Sequence, residues 1–360
     1  MLTLGDLQPT AVFDTYWRFA CERQRVYMLR LLDEPRPWTE DPIISGFRFT
    51  NAYRACDRVS QYLINHVIYD AGYQDRNVVD TVLRILLFKF FNRIETWQHI
   101  ESKLGPVSER SFNVKQIASL LDATMKRHEA VYSGAYIIPP VTGLGKTLRK
   151  HLGHLRLLEK MLLDGLASRL TKSRSLSEVY SLLLSYPGLG PFLAFQLSID
   201  LNYSGATSFD EMSFVVAGPG ARSGVAKCFA RADLLPPEDI IRLVAESQHA
   251  EMARRGLRFP TLPGRDLQLV DCQNLFCEVD KYARVAHPEV VDPAGRTRIK
   301  QSFRPVGPVP KPAFPPKWRV GDVITTAKES ASWTLISSSA KLPKQTSILL
   351  RLRGAGRTSR

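Results

Sequence analysis

Apolar residues recur three and four positions apart as far as about residue 300, the period of helices that bury one face. Phe13–Leu32 follows this spacing and is ended by Pro35 and Pro37. Asn51–Tyr69 puts Ala52, Ala55, Val59, Tyr62 and Leu63 on one stripe, with Arg54, Asp57, Arg58 and Gln61 beside it. Val78–Trp97 is apolar enough to be expected at the centre of the molecule. Lys115–Arg127, Leu148–Leu170, Leu176–Leu184, Phe192–Leu201, Pro237–Arg254 and Cys272–Ala286 continue the pattern. Strand-like sequence is limited to Ala135–Ile138 and Phe214–Ala217, each short enough to be an extended loop. The reading is an all-α body.

From Arg304 the pattern stops. Pro305, Pro308, Pro310, Pro312, Pro315 and Pro316 disfavour a helix or a central strand. Beyond them the chain is rich in Ser, Thr, Lys and Arg, with one apolar cluster at Ile348-Leu349-Leu350. This divides the chain into a helical domain, 1–304, and a Pro-rich then basic tail, 305–360, expected to be disordered. Charge modifies that division. The net charge is +14, but residues 305–360 hold ten Lys/Arg against two Asp/Glu, which leaves only +6 for the helical body. A polyanionic partner is favoured, and the global figure overstates how strongly.

The five cysteines form no Cys-x-x-Cys pair. That argues for a reducing compartment and against a disulfide framework, a zinc ribbon or a closely spaced iron–sulfur loop. The start of the chain lacks the basic and apolar regions of a secretory signal, and Arg84 and Lys89 interrupt the most apolar run. The expectation is an intracellular protein without a membrane partner, nuclear if the source is eukaryotic and cytoplasmic otherwise.

The most informative motif is Tyr186-Pro187-Gly188-Leu189-Gly190-Pro191, set between two apolar helical runs. Gly188 and Gly190 allow positive φ and a close approach of the main chain to a phosphate, with Leu189 between them. The helix that follows offers free N–H groups and the positive end of its dipole, and Pro191 suits its first turn. A second glycine-rich segment, Val216–Lys227, could cradle a phosphate through Gly218, Gly220, Arg222 and Lys227. The bland readings are a tight αα-turn and a turn before a helix. Gly143-Leu144-Gly145-Lys146-Thr147 resembles the end of a P-loop, but Pro140 stands where the first glycine belongs. His151 and His154 lie one helical turn apart without a third ligand, so no metal is assigned.

The hairpin is similar to that of the helix-hairpin-helix DNA glycosylases, in which an acid follows and supports chemistry at the sugar–base bond. Asp210 and Glu211 stand at a comparable distance and are the candidate catalytic carboxylates. A helix N-cap is their competing role. Phe192 and Leu193 occupy the region where bifunctional members carry a lysine, which disfavours Schiff-base chemistry. Longer blocks resemble the helical domain of the 5-hydroxymethyluracil DNA kinase family, also described as predicted α-glutamyl/putrescinyl thymine pyrophosphorylases. They are Tyr16–Ala20, Trp38-Thr39-Glu40-Asp41-Pro42, Phe49–Arg58, Phe91–Trp97, Pro187–Gln196, Asp200–Tyr203, Glu211, Ala217–Ala221 and Asp271–Arg284.

The resemblance implies DNA as partner and a role with a modified pyrimidine of the 5-hydroxymethyluracil type. A base pocket is expected from Trp38, Asp41, Asn51, Arg54, Asp57, Trp97, Gln273, Asn274 and Asp280, with Trp38 or Trp97 stacking the base. In phage members phosphoryl transfer is attributed to an attached P-loop kinase domain. With no second domain and no intact P-loop expected here, no cofactor is evident. ATP or Mg2+ enters only if the chain is itself a kinase, and a separate kinase or base-modifying enzyme is a further expected partner. The alternatives are a monofunctional glycosylase-type hydrolase and a non-catalytic DNA-binding module that recruits another enzyme.

Overall fold

Short polar side chains start six of the fifteen described α-helices. Thr10, Asp41, Asn77, Asn113, Ser175 and Asp322 each accept a hydrogen bond from a main-chain N–H of the first turn that follows. In this computed structural model, which describes residues 2–73, 77–134, 138–142, 149–291, 295–304 and 307–332, those starts give an all-α fold. In order the helices are α1 (Ala11–Leu31), α2 (Pro42–Gly46), α3 (Arg58–Tyr62), α4 (Val78–Phe91), α5 (Ile94–Leu104), α6 (Val114–Lys126), α7 (Lys150–Leu163) and α8 (Leu166–Lys172). They continue with α9 (Leu176–Leu184), α10 (Pro191–Asn202), α11 (Pro219–Cys228), α12 (Pro237–Glu246), α13 (Gln248–Arg254), α14 (Leu269–Ala286) and α15 (Val323–Ala331). Among the described residues the only β pairing is three isolated bridges, and Phe214–Ala217 is an extended loop as expected. No described helix is long and apolar enough to cross a membrane.

Two sets of packed helices make up the body. In one, α4 packs against α7, α8 and α10, and α10 against α9. In the other, α14 packs against α1, α11 and α12. The α11–α14 contact is close because α11 carries glycine where the helices touch. A Cβ on Gly224 would lie 2.1 Å from the Phe276 carbonyl oxygen, well inside any allowed contact.

Local backbone breaks split several of the expected helices. Asn92, left-handed at φ 49°, separates α4 from α5 within Val78–Trp97 and accepts a 2.7 Å bond from Lys89. Gly165 at φ 64° divides α7 from α8 within Leu148–Leu170, and Ser247 divides α12 from α13. The Asn51–Tyr69 stretch is not one helix. The Asn51 and Arg54 N–H groups donate to the Asp57 and Asp271 carboxylates, and only the 3-10 turn Arg54–Cys56, α3 and a π turn, Leu63–Ile68, are helical.

Disorder beginning at 305 is corrected for residues 307–332. Gln61 both donates to the Ala313 carbonyl and accepts from its N–H (3.0 and 2.9 Å), and α15 packs on α1 with Ala327 buried. Proline prevents helix here but not docking. Phe314, Trp318, Val320 and Val323 supply apolar side chains that reach the core. Residues 333–360 lie outside the described residues.

Candidate functional site

Arg54 is buried at the start of its 3-10 turn, and its guanidinium organises the middle of the molecule. Its Nε donates to Gln196 Oε1 (3.0 Å), Nη1 to the Tyr203 hydroxyl (2.9 Å) and Nη2 to Asp200 Oδ1 (2.8 Å). Gln196 and Asp200 are four residues apart on α10, hence on one face of a mostly apolar helix. Lys89 of α4 reaches the other Asp200 oxygen at 3.3 Å. Asp200 is 0% exposed, so this is a buried carboxylate held between two cations. Such a group is retained only while paired, because the isolated charge would be prohibitively expensive there.

The network continues toward Glu211. Asp271, in the first turn of α14, accepts the Arg54 main-chain N–H at 2.7 Å. Glu211 is buried against Arg265 at 2.6 Å, and Asn202 of α10 reaches it at 3.4 Å. Arg265 is presented by the tight turn Leu262–Arg265, where Gly264 takes φ 72° and the Tyr53 hydroxyl accepts from the Leu262 N–H and donates to the Arg265 carbonyl. Burial raises the Glu211 and Asp271 carboxyls above the usual carboxylate range, with Arg265 the chief opposing influence on both. Burial likewise lowers Lys89, against the pull of Asp200.

The Pro-rich segment closes this region. Lys317 Nζ donates to the Ser204 and Thr207 carbonyls at 3.1 and 2.7 Å, and burial brings its ammonium down to about 8. The Trp318 ring lies over the Arg265 guanidinium, 3.4 Å from Cζ to the ring centre, and edge-on to Tyr203 at 5.4 Å. Two cavities elsewhere, about 310 Å³ between Lys311 and Ile324 and about 130 Å³ between α4 and α7–α8, do not touch Glu211.

The expected site residues do not form a single pocket. Glu211 and Arg54 belong to the network just described. Asp210 is exposed and accepts the Met212 N–H at 2.8 Å, the capping role that competes with its catalytic one. Asn51 and Asp57 form a second cluster with Arg23 and Glu278. There Arg23 donates to Asn51 at 2.7 Å, and burial, reinforced by Glu278, raises the Asp57 carboxyl to about 7 against the Asn51 N–H and Arg23. Asp280 anchors a third cluster, paired with Lys227 (2.9 Å), Arg284 (2.5 Å) and Arg296 (3.2 Å) and bonded to Ser223.

Asp41 caps α2 and accepts from the Tyr282 hydroxyl. Gln273 is buried against Cys277, and its neighbour Asn274 is half-buried on α14. Trp97 is 1% exposed and packs edge-on to Phe88, so a base cannot reach it. Trp38 is half-buried, with the Arg30 and Arg36 guanidiniums 5.1 and 5.2 Å from its ring.

The glycine motifs divide in the same way. The hairpin is a tight turn joining α9 to α10, with Gly188 at φ 80°, Leu189 buried and Gly190 at the N-cap. A Cβ on Gly188 would meet Val141 Cα at 3.2 Å, so this chain covers that face itself, whereas Gly190 faces open space. The phosphate cradle expected from Val216–Lys227 is corrected. Cβ atoms on Gly218 and Gly220 would meet Phe192 (2.9 Å) and Cys277 (3.1 Å), so these glycines serve helix packing. Arg222 pairs with Glu238 at 2.9 Å, and Lys227 is buried on Asp280. His154 bonds Tyr132 and Pro139, while His151 faces Asp122. Among the described residues no group of three or more His, Cys, Asp or Glu is placed to hold a metal ion. The P-loop-like residues 143–147 lie outside the described residues.

Fold and site together define an all-α domain built around a buried network of arginine, lysine and carboxylates. The family model described as "5-hmdU DNA kinase, helical domain" matches residues 10–292, and the chain belongs to that family. It is 24% identical over 290 residues to the 5-hmdU DNA kinase of Bacillus phage SP10, across 75% of this chain and 45% of that protein. The chain thus spans less than half the length of this curated relative. No solved structure matches it.

Proposed function

We propose that this domain binds DNA and recognises a pyrimidine of the 5-hydroxymethyluracil type, presenting the base for phosphorylation by kinase machinery that the helical domain does not itself provide. One observation carries this reading. Segments within the family match and far apart in sequence, Asn51–Arg58, Pro187–Asn202 and Asp271, converge on the Arg54–Asp200 network, with Glu211 at its edge. Such a network, linking α10 and its hairpin to the Arg265 turn, gives a rigid support for reading one base. The open Gly190 face at the start of α10 suits a backbone phosphate. A base inside a duplex must first leave the stack, at a cost of roughly a few kcal/mol. ATP and Mg2+ belong to the phosphoryl-transfer step, and recognition runs through neither.

The test uses duplexes that carry one 5-hydroxymethyluracil or one thymine at the same position. Anisotropy titrations at fixed salt should show tighter binding to the modified duplex. Mass analysis of nucleosides and free bases after incubation with and without ATP should show unchanged DNA. Equal affinity for both duplexes would overturn the reading. Release of free base without ATP would replace it with a hydrolase, and phosphate on the base with ATP alone would make the domain the kinase.

A further inference from the structure

We infer that the slot now filled by Trp318 is the nucleobase slot, and that the segment around Trp318 is a self-ligand that a modified pyrimidine displaces. This rests on the proposed function and locates the base within it. The family match ends at residue 292, yet residues 313–320, outside it, lie over matched residues Gln61, Tyr203, Ser204, Thr207 and Arg265.

What Trp318 contacts is what a planar base would need. Its ring stacks on the Arg265 guanidinium and meets the edge of Tyr203, the arrangement by which proteins hold unstacked bases. The Ser204 and Thr207 carbonyls lie alongside, both satisfied by Lys317 Nζ. When Lys317 leaves, these two acceptors need new donors. The imino N–H and hydroxymethyl O–H of 5-hydroxymethyluracil are two such donors, and thymine has only the first. Glu211 holds Arg265 in place at 2.6 Å, so it acts as a positioning residue for the stacking platform.

The segment is built to lift. On one side, residues 301–303 are anchored by main-chain bonds to the end of α2, and on the other α15 is anchored on α1. Between these anchors, prolines remove N–H donors, and the described polar contacts to the body are the Gln61–Ala313 pair, the Lys317 bonds and a 3.4 Å bond from Gly321 N–H to the Pro263 carbonyl, beside the Trp318 ring and the partly buried side chains of Val309, Phe314 and Val320. A few side chains can therefore release without unfolding the helices.

The experiment compares the full chain with W318A against the same two duplexes. If the open form is about a tenth of the population, removing the ring tightens binding of the modified duplex by about tenfold. The thymine duplex should change less. Hydrogen exchange on the unsubstituted protein supplies a second readout, independent of whether the variant folds, and residues 311–322 should exchange faster once the modified duplex is bound. Selective binding that W318A leaves unchanged or weakens, with no faster exchange in the strap, overturns the slot while the proposed function stands. Equal affinity of wild type and variant for both duplexes overturns both.

Discussion

Removing Asp200 tests whether the charged network is a closed interior structure. Asp200→Leu takes away the carboxylate that neutralises both Arg54 and Lys89, each of them buried. Gln196, Tyr203 and Asn92, which also bond these two cations, are neutral. Breaking a buried pair from one side costs ~3–5 kcal/mol. With an unfolding entropy of roughly 2.1 cal/mol/K per residue over about 300 ordered residues, this lowers the thermal midpoint by on the order of 5–8 °C. The triple change R54M/K89M/D200L removes all three charges at comparable volume and should recover at least half of the loss, since apolar replacement of a whole buried ion group is close to neutral. Urea unfolding followed by tryptophan fluorescence and by circular dichroism measures both variants. An Asp200→Leu protein within about 1 kcal/mol of wild type would refute the reasoning, because surface ion pairs are worth only that much.

Three further outcomes follow from the same geometry. A carboxyl whose folded pKa lies above its unfolded value contributes stability below the unfolded value and loses it as pH rises to the folded one. For Asp57 that window runs from the ordinary 3.8 to about 7, so Asp57→Asn should flatten the fall of the denaturation midpoint across it, and an unchanged profile would contradict the burial of this carboxyl. Gly224→Ala drives a methyl into the Phe276 carbonyl and should cost ~1–3 kcal/mol or more by forcing α11 off α14, read as a lower melting temperature or loss of soluble protein. Gly190→Ala meets nothing within 4 Å and should leave stability within about 0.5 kcal/mol, while weakening DNA binding several-fold if a phosphate docks there.

Helical period, proline and capping residues carry most of the secondary structure in their local order. Leu176–Leu184 matches α9 end to end, and α1, α6, α10 and α14 begin and end within a few residues of the apolar pattern. The expected helices break at two kinds of place, local backbone turns and one long-range bond. Asn92, Gly165 and Ser247 interrupt continuous apolar periodicity, and the Asn51 and Arg54 N–H groups serve the nearby Asp57 and the distant Asp271 carboxylates instead of a helix. A signal for the central network was present in Gln196 and Asp200, two polar residues four apart on a mostly apolar helix. Its other members, Lys89, Arg265 and Asp271, gave none, because a charged residue in a helix or turn ordinarily faces water.

By itself the sequence determined an all-α body, the start of α10 at a glycine hairpin, and membership of the 5-hmdU DNA kinase helical-domain family. Those are properties of spacing and residue type, fixed within a few turns of chain. Tertiary structure alone decided that Glu211 faces Arg265 while adjacent Asp210 caps a turn. It also decided that Gly218 and Gly220 make room for side chains rather than a phosphate, and that a proline-rich segment docks across the site. Each depends on which distant surface arrives opposite the residue, and burial then sets whether its charge is paired, shifted or covered.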